Sequence, residues 1–309
     1  MSTSSVSPAT AQPACTGKIA LVTGAYGDIG QHTVLGLARA GATVIAAGRD
    51  QSKLDQLAQS TAAEVPGSRI ETLILDLADL SSVQQAAETV LATMRPLDVL
   101  VNNAAVMPGG RRQTTRDGFE LAFGTNHLGH YALTGHLLPV LLASPEARVV
   151  TVCAGPPNQR LDTSDLNSDK RYRGGMRTYM GSKLATAVFA QELARRAAAT
   201  TVRSLTANPG VAATGVQRNN PFIGWLARYV FAAVASTPAQ AARPSLYAAT
   251  RIDLANGTLV GPAGMKGAPR QREVPAAVAD RTIAIQLWES SEQLTGVHYQ
   301  FSHEAPVDR

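Results

Sequence analysis

The chain is 309 residues long, 45% hydrophobic and 17% charged, with a formal net charge of +5 at pH 7. That composition supplies a sizeable core and excludes global disorder. The basic residues are scattered, with only short runs (111–112, 170–173, 195–196) and no concentrated stripe, so no nucleic-acid surface is expected.

The two cysteines, Cys15 and Cys153, imply no disulfide framework, and a reducing cytoplasmic setting is expected. Residues 1–16 are rich in Ser, Thr, Ala and Pro, with neither a basic nor an apolar leader region, and read as a flexible tail. Residues 17–305 read as one domain. The most apolar stretch, 221–236, is short for a membrane span and contains Arg228, so no transmembrane segment is expected.

In chain order, apolar runs at 18–23, 43–47, 70–75, 99–101 and 149–152 alternate with helix-length amphipathic stretches at 30–40, 51–63, 81–94, 118–143 and 176–199. Two weaker strands follow at 201–207 and 258–260. Such alternation predicts an α/β fold, a single doubly wound parallel sheet of Rossmann type between two helical layers. Ser81 and Ser82 are candidate N-caps of the third helix.

Directly after the first strand stands Thr23-Gly24-Ala25-Tyr26-Gly27-Asp28-Ile29-Gly30. Glycines here let the backbone turn tightly and let a dinucleotide pyrophosphate approach a helix N-terminus. The tip of the second strand, Ala47-Gly48, is small and neutral, and Arg49 follows. An acidic residue at that tip would suit the ribose of NAD; an arginine suits a 2′-phosphate, so NADP(H) is expected. Asp50 is read as the N-cap of the next helix.

Four further segments join this turn: Asn102-Asn103-Ala104-Ala105, Asn126, Tyr179-Met180-Gly181-Ser182-Lys183 and Pro209-Gly210-Val211. Together they resemble the short-chain dehydrogenase/reductase family. Residues 123–130, 165–167 and 287–289 resemble its retinol-dehydrogenase-like branch. The resemblance implies cofactor contacts from Gly24, Tyr26, Asp28, Ile29, Gly30, Asp76, Leu77, Asn103, Ala104, Pro209, Gly210, Val211 and Thr214. It further implies a catalytic role for Tyr179 and Lys183, and support of a water relay by Asn126. A homodimer or homotetramer is plausible on the same ground.

Tyr179 and Lys183, four apart on a helix, share a face, and an ammonium beside a phenol is expected to lower its pKa toward a useful acid/base range. Two departures qualify this reading. The family's serine position, 179 − 154 = 25 residues before the tyrosine, is Ala154. Loss of one such donor costs about 10²–10³ in rate. Three possibilities follow: a reductase that polarises its carbonyl otherwise, a redox-neutral enzyme (cyclase, epimerase or dehydratase), or a weakly catalytic binding protein. Cys153 is a poor substitute, being on the opposite face with a weak thiol donor. The second departure is Asp28, where the family has a glycine. It is expected to cap the first helix; the sharper alternative is repulsion of the cofactor pyrophosphate.

The segment at about 211–236, and within it 219–231 with Phe222, Trp225, Tyr229 and Phe231, stands where the family covers its substrate, and suggests a bulky lipophilic or aromatic ketone or alcohol. A helix packed on the core or on a partner subunit fits it equally. Pro156-Pro157 and the loop to Arg173 are expected to form the opposite wall. His127, His130 and His136 lack metal-ligand spacing, so no metal is expected; they read as helix-surface or packing residues.

Overall fold

The computed structural model describes residues 15–153, 160–210, 236–264 and 266–301. Strands β1 (Ile19–Thr23), β2 (Thr43–Gly48), β3 (Arg69–Ile74), β4 (Val99–Asn102), β5 (Arg148–Val152), β6 (Arg203–Ala207), β7 (Leu259–Pro262) and β8 (Pro269–Arg272) form one sheet. Their order is β3-β2-β1-β4-β5-β6-β7-β8. Every pairing is parallel except β7 with β8. Central strands such as β4 and β5 are buried at every position, which is why they read as unbroken apolar runs rather than alternating ones.

Helices α1 (Asp28–Arg39), α2 (Gln51–Glu64) and α7 (Pro238–Thr250) cover one face of the sheet. There Val34, Leu37, Leu54 and Ala248 pack on Val22, Val101 and Leu205. Helices α3 (Leu80–Leu91), α4 (Gly129–His136), α6 (Gly175–Arg196) and α9 (Arg281–Thr295) cover the other, with Val83, Tyr131, Phe189 and Trp288 around Leu21 and Leu100. Short helices α5 (Leu138–Leu142) and α8 (Ala276–Ala279) complete the described elements. The doubly wound three-layer arrangement is the expected one.

Several local expectations are corrected. The single helix expected over 118–143 is instead a π-helical turn (Phe123–Leu128) running into α4, then α5. The break before α5 falls where Pro139 has no amide to donate. Helix α3 is capped by Asp79, whose carboxylate accepts from the amides of Ser81 (2.9 Å) and Ser82 (3.3 Å); both serines lie inside the helix. Cys15, assigned to the tail, is buried and its amide donates to the Ala40 carbonyl at 2.6 Å, so the fold begins earlier than residue 17. Of the two readings left open for the histidines, surface or packing, His127 and His130 take the packing one, each almost fully buried. Among the described residues, no helix is long and apolar enough to cross a membrane.

The strand order reverses between the parallel neighbours β1 and β4, one set of crossovers running outward through β2 and β3 and the next through β4 and β5. The crevice at the carboxyl ends of these two strands is where an open α/β sheet binds its ligand.

Candidate functional site

At the end of β1 the chain turns through Gly24 at φ +62°, a conformation that L side chains rarely adopt. A Cβ on Gly24 would also lie 2.9 Å from the Cα of Ala104. Gly30 sits against the Gly24 carbonyl so closely that a Cβ there would overlap it. The turn is thus tight enough to bring the N-terminus of α1 to the crevice, the end at which a helix presents its amides to an anion. Gly27, not Asp28, is the N-cap residue, and it supplies no side-chain cap. Asp28 is the first helical residue and lines the crevice, which corrects the capping expectation.

Asp50 does cap α2, accepting from the Lys53 amide at 3.2 Å; the Lys53 bonds hold its carboxyl below the usual carboxylate range. Beside it, the Tyr26 ring lies against Gly48. Its hydroxyl accepts from the Arg49 amide at 3.3 Å, and the Lys53 ammonium stands 5.5 Å from the ring centroid.

One cavity of about 380 Å³ joins these groups. Its walls include Gly24, Tyr26, Asp28, Ile29, Gly30, Arg49, Asp76, Leu77, Asn103, Ala104, Pro209, Tyr179 and Lys183. Thirteen residues drawn from across the sequence therefore share one space. Gly210 lies just beyond Pro209, outside the lining, with its amide bonded to the Asn208 side chain at 2.8 Å. Val211, Thr214, Ala154, Pro156-Pro157 and nearly all of the expected substrate cover, 211–235, lie outside the described residues. The described part of the loop to Arg173 does not wall this cavity. It borders a separate groove of about 390 Å³ on the Thr178–Ser182 side of α6, with Arg160, Leu161, Arg171 and Arg173.

Asn126 is fully buried behind the wall. Its side chain grips the backbone of Val106 in both directions, accepting from the amide (2.7 Å) and donating to the carbonyl (2.9 Å). It also donates to the Ser182 hydroxyl at 2.9 Å. The Lys183 ammonium, almost fully buried, donates to the Val152 carbonyl at 3.1 Å, and burial pushes its pKa down to about 8. Burial pushes the Tyr179 hydroxyl up from its ordinary value, contrary to the expectation that Lys183 would lower it. Desolvation opposes phenolate, and here it dominates. The Cys153 thiol, buried against the same cavity, is pushed up to about 12 and is inert as a nucleophile.

A further residue, assigned no role from sequence, organises the cavity floor. The Thr23 hydroxyl accepts from the amides of Asn103 (2.9 Å) and Ala104 (3.0 Å), while the Asn103 side chain donates to the Thr23 carbonyl (2.8 Å). These bonds fasten the end of β4 to the glycine turn. The available signal was its place at the strand end, one residue before the glycine.

A family model described as short chain dehydrogenase matches residues 18–221. Human retinol dehydrogenase 13 is 34% identical over 299 residues, covering 95% of this chain and 89% of that protein. Human retinol dehydrogenase 11 is 35% identical, covering 91% and 86%. Among solved structures, an uncharacterized protein from Mycobacterium paratuberculosis is 36% identical with a TM-score of 0.75, covering 94% and 97%. A Beutenbergia cavernae protein described as an NAD(P) dependent gluconate 5-dehydrogenase, with NADP bound at low occupancy, is 25% identical with a TM-score of 0.65, covering 80% and 96%.

Proposed function

The chain belongs to the short-chain dehydrogenase family and is an oxidoreductase, and from that premise we propose that it uses NADP(H) to interconvert a bulky lipophilic ketone and alcohol. The observation that carries this reading is the shared cavity: Tyr179 and Lys183 line it together with the glycine turn and Arg49. The cofactor fits what is present, since the close approach of Gly24 and Gly30 clears a cradle at the α1 N-terminus. Gly24, Ile29 and Gly30 would hold the pyrophosphate, Arg49 and Tyr26 the 2′-phosphate, Asp76 and Leu77 the adenine. Asn103, Ala104, Pro209, Gly210, Val211 and Thr214 would hold the nicotinamide end.

The bound cofactor supplies or accepts the hydride. Tyr179 handles the proton: burial keeps its phenol protonated at neutral pH, the state needed to donate to a developing alkoxide. Lys183 orients the ribose and places positive charge beside the phenol, and Asn126 holds the Val106 wall. With alanine at position 154, carbonyl polarisation falls to Tyr179. The retinol dehydrogenase relatives, named for a lipophilic alcohol, support the substrate class.

The deciding experiment incubates the protein with a lipophilic ketone panel and NADPH deuterated at the transferable position. Deuterium at the carbinol carbon is the expected result. Turnover with neither deuterium transfer nor NADPH consumption would replace this reading with redox-neutral chemistry.

Two predictions concern the cofactor end. Arg49→Ala weakens NADPH binding by about 10–100-fold, the equivalent of one charge-assisted contact, and leaves NADH nearly unchanged. Equal losses for both cofactors would remove the 2′-phosphate role. Asp28→Gly tightens NADPH binding by several-fold, and more at low ionic strength. A carboxylate in the first turn favours the helix dipole but repels a pyrophosphate docked on the same amides. Titration at two salt concentrations checks this, and unchanged affinity at both would reject the repulsion.

A further inference from the structure

His130 lies on α4 and lines neither the cofactor cavity nor the groove beside it, yet it is 2% exposed and bonded at both ring nitrogens. Nε2 is 2.8 Å from the Thr23 hydroxyl, and Nδ1 is 2.8 Å from the Asn126 carbonyl. The two partners belong to opposite ends of the machinery: Thr23 anchors the glycine turn, and Asn126 joins the catalytic helix through Ser182.

Proton counting fixes the direction of each bond. A hydroxyl has one proton and two lone pairs, and both lone pairs of Thr23 are taken by the amides of Asn103 and Ala104. Its proton can go to His130 Nε2 at 2.8 Å or to the Val101 carbonyl at 3.3 Å, and the shorter contact takes it. Nε2 is therefore an acceptor and carries no hydrogen. Nδ1 faces a carbonyl, which only accepts, so Nδ1 carries the hydrogen. Burial agrees, pushing the pKa of the ring down to about 4, with the Lys183 ammonium acting in the same direction.

The chain of bonds continues with one polarity. The Asn126 side-chain Nδ2 donates to the Ser182 hydroxyl (2.9 Å), and Ser182 donates to the Tyr179 carbonyl (2.7 Å). From the amides of Asn103 and Ala104, the path runs through Thr23, His130, Asn126 and Ser182 to the backbone of Tyr179. The steps into Thr23 span 80 and 81 residues, the Thr23–His130 step 107 and the Asn126–Ser182 step 56, so the path ties together distant parts of the chain.

We infer that His130 is a positioning residue: as a neutral Nδ1–H imidazole it locks the cofactor turn to the helix that carries Tyr179, and so sets the separation between bound cofactor and acid. This rests on the proposed roles of the turn and of Tyr179. A shift of about 1 Å at a reacting centre can cost roughly 10²-fold in rate, so such a lock has kinetic weight.

The first measurement uses the wild-type protein labelled with ¹⁵N-histidine, which contains six histidines. One ring is expected to show the Nδ1–H tautomer at neutral pH, and its signal to disappear in His130→Gln. An Nε2–H tautomer or an imidazolium at His130 would overturn the inference. The second compares variants. His130→Leu, which can neither donate nor accept, is expected to lower kcat by about 10²-fold while the KM for the ketone changes little. His130→Gln offers one donor and one acceptor and should recover most of that loss. Folded His130→Leu with wild-type kcat, or a Gln variant no better than Leu, would overturn it. Tyr179→Phe run in parallel separates the two readings: if that variant keeps full turnover, the catalytic reading fails, while the tautomer still decides what His130 does.

Discussion

Tyr179→Phe lowers kcat for ketone reduction by about 10²–10⁴-fold, the usual contribution of a positioned general acid, and leaves NADPH affinity within a few-fold of wild type. The side chain is partly buried in the cavity it shares with Cys153 and Lys183, of which the first is held near pKa 12 and the second donates to a backbone carbonyl. Removing one hydroxyl leaves the ring and its packing in place, so the fold should survive. Because burial raises the pKa of the phenol, the phenol stays protonated and the reductive rate attributable to Tyr179 should hold through neutral pH. The check is a single-turnover rate with saturating NADPH from pH 6 to 10, beside a cofactor titration. A variant that keeps more than a tenth of the wild-type rate would hand the acid role to another group or to water.

The expected direction of the tyrosine shift shows where sequence reasoning ran out. The four-residue spacing of Tyr179 and Lys183 correctly put them on one helix and at one cavity. Whether the lysine field or desolvation dominates depends on how deeply the helix is buried, and that is set by β5 and the elements packed around it. The same boundary appears elsewhere. Strands β1, β2, β4 and β5 were legible because burial on both faces demands apolar runs, and the glycine turn because few residues tolerate its backbone. Strand β8, Pro-Arg-Gln-Arg at the sheet edge, is largely exposed and carries no apolar periodicity, so nothing marked it. Asp79 rather than Ser81 or Ser82 caps α3 because cap choice turns on where the chain leaves β3, a matter of one turn. The Thr23–His130 bond joins positions 107 apart and has no local signature at all.

Lys183→Met stabilises the folded protein at pH 7 even as it impairs turnover. The lysine titrates near 8 in the folded chain, against an ordinary value of 10.5. Below pH 8 both folded and unfolded chains carry the ammonium, and the folded one bears the full cost of burying it. Between pH 8 and 10.5 the unfolded chain holds a proton that the folded chain has lost, so stability rises with pH across that window. The rise is about 3 kcal/mol, the equivalent of moving the lysine from 10.5 to about 8. Methionine has no charge to bury and comparable length, but it leaves the Val152 carbonyl without its donor, a loss of about 1 kcal/mol. The net gain at pH 7 is therefore about 2 kcal/mol. Denaturant midpoints of wild type and variant, taken from pH 7 to 10.5, isolate the effect because other titrating groups cancel in the difference. The gap should be widest below pH 8 and should shrink or reverse by 10.5. A variant less stable at pH 7, or a gap that does not change with pH, would mean that the lysine is not held as a desolvated ammonium. The expected gain has a functional reading: a charge retained at a cost to stability beside Tyr179 is a group kept for chemistry rather than for the fold.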